Sequence, residues 1–151
     1  MTLLDAYAVL AYLKGEVAAP EVRVLLDDAA ASLTAVGLAE VIDHLVRLAG
    51  VEEEDAVLDL AQLGLLDGRP VDSVLGMAAG RLRARHFDRR RCQVSLADCV
   101  AAEAARAGGE PLATADPDLL DVCHAEGIAV VVLPGSTGTR WTPPPSSRHG
   151  S

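Results

Sequence analysis

An α/β fold, a three-layer sandwich around a mainly parallel central sheet, is predicted by three observations. Short apolar runs alternate with segments of helical periodicity along the 151 residues, which is the pattern of successive strand–helix units. Half of the residues are hydrophobic, mostly Ala, Val and Leu, and only four are aromatic. Ala and Leu are strong helix formers, so helices are expected to carry much of the core. The surest strand, IAVVVL at 128–133, follows directly on a helical segment opened by Asp116 and Pro117. A chain of this length reads as one domain, able to bury roughly two-thirds of its unfolded surface.

In order, Thr2–Leu4 reads as a short strand, followed by a helix through Lys14 that Gly15 ends. A second helix is expected over Glu21–Ala31 after Pro20, then a short strand over Ser32–Ala35. The pattern predicts a helix over Val36–Ala49, closed by Gly50. EEEDAVLDLAQLG places acids in a first helical turn, where the helix dipole favours them. Val71–His86 continues helical with Val74, Met77, Ala78 and Leu82 as its apolar stripe. Phe87–Val94 is a polar, basic loop, and Ser95 opens an alanine-rich helix that stops at Gly108 and Gly109. Pro111–Thr114 is a strand, Pro117–Glu126 a helix and Ile128–Leu133 the last strand. Residues 1–134 are thus expected to form the folded unit. The tail from 135 to 151, GSTGTRWTPPPSSRHGS, has the composition of disorder, with Trp141 as the residue suited to dock.

The net charge of −9 and a pI near 4.7 argue against a broadly basic nucleic-acid surface. Six of the thirteen basic residues nevertheless fall in RLRARHFDRRR at 81–91, so a local basic patch survives. Cys92, Cys99 and Cys123 are odd in number and lack C-x-x-C spacing, which opposes a disulfide framework or a structural zinc site. Asp5 interrupts the first apolar stretch, no basic region precedes it, and no apolar run approaches the ~20 residues that span a membrane. A soluble, cytoplasmic protein is expected.

Asp5 and Asp116 lie at strand ends, beyond which ligands sit in open α/β sheets. Both also suit helix N-caps, Asp116 especially with Pro117 behind it. The roles are compatible, since one carboxylate oxygen can cap while the other faces the crevice. Asp98 forms an S-x-x-D capping box with Ser95. At ~100° per residue it points away from Glu103 and Arg106 and shares its side with Ala101, Ala102 and Ala105. Capping and function both remain open for it. Glu40 falls on a polar stripe with Asp43, His44 and Arg47, opposite Leu38, Ile42, Leu45 and Ala49, so its pattern reads as a solvated face. Asp118 is favoured electrostatically in a first helical turn whatever else it does.

LLDAYAVLAYL, LTAVGLAEV, SLADCVAAEAA and LATADPDLLDV, in that order, resemble the four acidic motifs of the PIN domain, and more narrowly those of VapC-type toxins of bacterial toxin–antitoxin modules. The likeness runs from Leu3 to about Pro134. It implies a PIN-like fold in which Asp5, Glu40, Asp98 and Asp116 meet at the end of the sheet, with Asp118 a secondary candidate. It implies a metal-dependent endoribonuclease that cuts single-stranded or structured RNA, leaving 3′-hydroxyl and 5′-phosphate ends. Carboxylates crowded together need a counter-charge. Mg²⁺ or Mn²⁺, hard cations that prefer oxygen ligands, would supply it from Asp5, Asp98 and Asp116. Glu40 would hold or deprotonate a water, or complete the coordination.

Arg85, Arg89, Arg90 and Arg91 are candidates for phosphate contact, against the alternative of a solvated loop paired with the excess acids. With so few aromatics, no base-stacking platform is apparent. The resemblance also implies a homodimer and a cognate antitoxin protein. One departure is visible: many relatives carry Ser, Thr or Asn two residues after the first Asp, where this chain has Tyr7. Three rival readings stand beside it. A haloacid-dehalogenase-type phosphatase needs D-x-D after the first strand, and Tyr7 occupies its second place. A receiver domain needs paired N-terminal acids and a late strand-end lysine. A catalytically silent PIN-like module that only grips a partner is opposed by the four acids without being excluded.

Overall fold

The computed structural model describes residues 1–28 and 30–145. Four short parallel strands form the sheet: β1 (Thr2–Leu4), β2 (Ala31–Ser32), β3 (Leu112–Thr114) and β4 (Val130–Val132), in the spatial order β2-β1-β3-β4. Around them lie α1 (Ala6–Leu13), α2 (Ala19–Asp27), α3 (Ala35–Asp43), α4 (Glu53–Gln62), α5 (Ser73–His86), α6 (Leu96–Gly108) and α7 (Pro117–Glu126). Successive strand residues face opposite sides. Leu3 and Leu112 therefore join a cluster with α5, α6 and α7, while Leu4 and Ala113 join a second cluster with α1 to α4. Both faces of the sheet are covered, which explains why β1 reads as a continuous apolar run rather than an alternating one. The three-layer α/β/α prediction holds, and the sheet is parallel throughout.

Local chemistry sets most of the boundaries. Asp5, Thr34, Asp72, Ser95 and Asp116 each accept a backbone N–H from the first turn of the following helix. At the other end, Gly109 closes α6 at φ 62° and Gly127 closes α7 at φ 69°, a left-handed turn that glycine enters without a Cβ penalty.

Three expectations are corrected. The helix expected to run to Ala31 ends at Asp27, because Ala30 and Ala31 are drawn into pairing with Thr2 beside β1. Tertiary pairing overrides alanine's helix propensity. The helix expected over 36–49 is α-helical only to Asp43; His44–Leu48 widens into a π segment, with Ala49 N–H reaching the His44 carbonyl. In α5 the core face is carried by Leu75, Ala79 and Leu82, whereas Val74 and Met77 are 72% and 54% exposed. The helix turns toward α6, a rotation that apolar spacing alone does not specify.

Part of the segment expected as a disordered tail is described. Arg140 donates to the Val132 carbonyl at 3.0 Å and to Glu21 Oε1 at 2.6 Å. Trp141 Nε1 donates to Asp121 Oδ1 at 2.8 Å, with its ring set edge-on to His124. Residues 146–151 lie outside the described residues. Among the described residues, no helix is long and apolar enough to cross a membrane.

Candidate functional site

From β1 the chain crosses to β2 on one side, and β3 then adds on the other. The crevice beyond the carboxyl ends of β1 and β3 is therefore the topological switch point, where open α/β sheets bind ligands. A cavity of about 370 Å³ opens there, and Asp5, Glu40, Asp98 and Asp116 all line it. Residues from four separate segments of the chain are thus brought to one place.

Each acid is aimed by its element. Asp5 follows β1 directly and caps α1, its Oδ1 accepting from Ala8 N–H at 2.8 Å. Its Oδ2 accepts a short hydrogen bond from the Thr114 hydroxyl, which in turn accepts from Asp116 N–H at 3.1 Å. Thr114 is completely buried at the end of β3, so one hydroxyl ties the two strand-end acids together. Asp116 Oδ1 accepts from Asp118 N–H at 2.9 Å and caps α7. Asp98 and Ser95 form the expected capping box at the start of α6, with Asp98 Oδ2 accepting from Ser95 N–H at 3.1 Å. Ala101, on its side of the helix, also lines the cavity. Thr34 caps α3, and Glu40, one turn further along that helix, reaches the rim. Capping and facing the crevice coexist, as the sequence allowed.

Burial dominates the electrostatics. Asp5 is 7% exposed, and desolvation pushes its pKa up from 3.8 to about 7, with the charges of Asp98 and Asp116 adding to the rise. Hydrogen bonds from Thr114 and Ala8 offset part of it. Desolvation is also the leading cause of the raised pKa of Asp116, followed by the charge of Asp98. Glu40 is exposed at the rim, yet the approach of the cavity wall to its carboxyl raises its pKa, again with Asp98 the second cause. Three acids thus register Asp98's charge. An all-oxygen, acidic donor set of this kind fits a hard divalent cation in its chemistry. Among the described residues, however, no three His, Cys, Asp or Glu side chains already stand close enough to form a ligand group.

The remaining candidates lie elsewhere. Asp118 does not line the cavity; its Oδ2 accepts from Gln93 N–H at 3.0 Å, tying the basic loop to the start of α7. Arg89, Arg90 and Arg91 are exposed on that loop, where Asp88 Oδ1 accepts from the N–H groups of Arg90 and Arg91. Arg85 is paired with Glu126 at 2.9 Å, on the α5–α7 side. Sequence reading missed Thr114, whose contact with Asp5 spans 109 residues, and the cavity wall formed by Gly135 and Ser136.

The PIN domain family profile matches residues 2–125. No curated protein matches the sequence. Among solved structures, the chain is similar to Mycobacterium tuberculosis VapC20, a sarcin–ricin loop cleaving toxin, with a TM-score of 0.65, 18% identity, and 89% of this chain and 100% of that one covered. FitAcB from Neisseria gonorrhoeae gives a TM-score of 0.61 at 20% identity, covering 86% of this chain and 96% of that one. VapBC2 from Rickettsia felis, bound to a DNA fragment from its promoter, gives 0.62 at 15% identity with the same coverage. At these identities the likeness shows the fold.

Proposed function

The chain belongs to the PIN domain family, and from that premise we propose that it is a metal-dependent endoribonuclease, the toxin of a VapBC-type toxin–antitoxin pair. The observation that carries this reading is the convergence of four acids from four chain segments on one cavity at the switch point of the sheet. Asp5, Asp98 and Asp116 would hold Mg²⁺ or Mn²⁺. When bound, the cation would offset the crowded carboxylates, lower the pKa of a water and stabilise charge on the leaving oxygen.

The chain's own groups do the rest. Thr114 holds the Asp5 and Asp116 segments in register. Glu40, at the rim and with its pKa raised by partial burial, is placed to take a proton from the attacking water. Arg89, Arg90 and Arg91, on the loop that Gln93 ties to the start of α7, supply phosphate contacts, which position RNA without reading its sequence. Arg85 is engaged by Glu126 and contributes less. A chain of charge −9 suits a basic segment of an antitoxin. The cytoplasm, where RNA substrates and such a partner are found, is its proposed location, and a homodimer its proposed assembly.

A second reading, a silent PIN-like binding module, is favoured by the lack, among the described residues, of a ready-made ligand group. RNA cleavage separates the two. Purified protein should cut RNA in Mg²⁺ or Mn²⁺, stop in EDTA, and lose activity as Asp5→Asn or Asp98→Asn. Equal cleavage by all three proteins would reject the site. No cleavage by the wild type under any metal would favour the binding module.

A further inference from the structure

Tyr7 occupies the place two residues beyond Asp5, in the first turn of α1, and is, among the described residues, the only aromatic one lining the acidic cavity. It is 39% exposed, so a substantial part of its surface is open. The tip of the ring is held. Its hydroxyl donates to Glu16 Oε2 at 3.1 Å, in the turn after α1, and Ser136 lines the same cavity. Tyrosine has few torsions to freeze, and a tethered tip leaves still less entropy to lose when something lies against the ring. The rest of the wall consists of acids, small residues such as Gly37 and Ala101, the buried Leu4 and the Pro117 ring. None of these carries an aromatic face to set against a nucleobase.

A phosphodiester brought to the carboxylates carries a base on either side. Tyr7 lines the same cavity as the acids, so a base flanking that phosphodiester can meet its ring. We propose that Tyr7 is the stacking platform for a nucleobase next to the scissile phosphate, so that cleavage requires that base to be unpaired. The proposal rests on the nuclease reading above. A base inside a duplex is already stacked on both faces and would have to leave the helix to reach the ring, at a free-energy cost. Every base has a π face, so the platform selects an unpaired nucleotide rather than a particular letter. The scarcity of aromatics leaves no stacking platform apparent in the sequence; on this proposal a single ring beside the acids supplies one.

The test compares wild type with Tyr7→Phe, Tyr7→Leu and Tyr7→Ala on short single-stranded RNAs of mixed sequence. Two substrate series are used, one with single abasic nucleotides stepped past the cleavage point and one with 2-aminopurine in the same positions. Tyr7→Phe keeps the ring and should stay within a few-fold of wild type. Tyr7→Leu and Tyr7→Ala should lose roughly 10- to 100-fold in kcat/KM. One abasic position should cost wild type a similar factor while costing Tyr7→Leu little more, because ring and base act as one contact. At that position 2-aminopurine fluorescence should be quenched by wild type and not by Tyr7→Leu. Cleavage by Tyr7→Leu and Tyr7→Ala within twofold of wild type, or abasic losses that simply add to theirs at every position, would overturn the proposal. A wild type that quenches 2-aminopurine through Tyr7 but never cleaves would keep the stacking contact and overturn the nuclease reading instead.

Discussion

Asp5 is held between two demands, since the same burial that shapes the cavity raises its pKa from 3.8 to about 7. Between these values the folded chain keeps a proton that the unfolded chain has released. Stability of the cation-free protein therefore falls as pH rises through that window. Asp5→Asn removes the penalty while its amide can still face Ala8 N–H and the Thr114 hydroxyl. In EDTA at pH 8 this variant should be more stable than wild type by about 1–3 kcal/mol in urea unfolding, with the gain gone at pH 4, although cleavage is lost. A variant no more stable than wild type at pH 8 would show that burial does not destabilise the carboxylate. Thr114→Val keeps the shape but removes the hydroxyl that links the two strand ends. It should lower the cleavage rate about 10- to 100-fold, as loss of a supporting hydrogen bond to a ligand does; an unchanged rate would make Thr114 structural only. Asp5 and Asp116 stand out in the sequence as acids at strand ends, whereas Asp98 reads equally as a cap and enters the proposed site only through the resemblance to PIN motifs. Thr114 was not legible, because a threonine in LATAD reads as an ordinary strand residue until its distant partner is known.

At the scale of elements, the site is a set of helix starts. Four of its members, Asp5, Thr34, Asp98 and Asp116, do capping work at α1, α3, α6 and α7. Ser95→Ala breaks the box that fixes Asp98 and should destabilise the protein by about 1 kcal/mol. It should also slow cleavage, because the Asp98 backbone N–H loses its Ser95 Oγ partner and the turn that aims the carboxylate loosens; thermal unfolding and a cleavage rate together check this, and a stability loss with full activity would separate cap from site. Element identity was readable wherever a cap or a left-handed glycine marks an end, as at Asp116, Gly109 and Gly127. It failed where long-range packing decides, as in the pairing of Ala31 with Thr2 and the rotation of α5 against α6. Glu40 is the clearest limit: it belongs to an exposed polar stripe whose Asp43–Arg47 pair lies in solvent, and periodicity gives no hint that the head of that stripe meets the cavity.

Across the whole molecule, Glu126 at the end of α7 joins three elements. It accepts from Arg85 and contacts His86 on α5, and meets Arg106 on α6 at 3.1 Å. The His86 hydrogen bond leads the contacts that hold its pKa down near 2. Its contribution is present above about pH 4.5 and is lost as pH falls toward 2. Asp5 acts in the opposite sense at higher pH, so the cation-free protein should be most stable between about pH 4 and 5. Glu126→Ala should cost about 1–2 kcal/mol near neutral pH and flatten the acid limb of that profile. An acid limb unchanged in the variant would place the acid sensitivity elsewhere.

Asp5, Glu40, Asp98 and Asp116, delivered by four distant segments, are proposed to act as one cation-binding centre. Calorimetric titration of Mn²⁺ into the wild type and the four single amide variants tests it most directly. Saturable binding by the wild type is expected, weakened about tenfold or more in Asp5→Asn, Asp98→Asn and Asp116→Asn and less in Glu40→Gln. Mn²⁺ binding of equal strength by all five proteins, or none by the wild type, would contradict it.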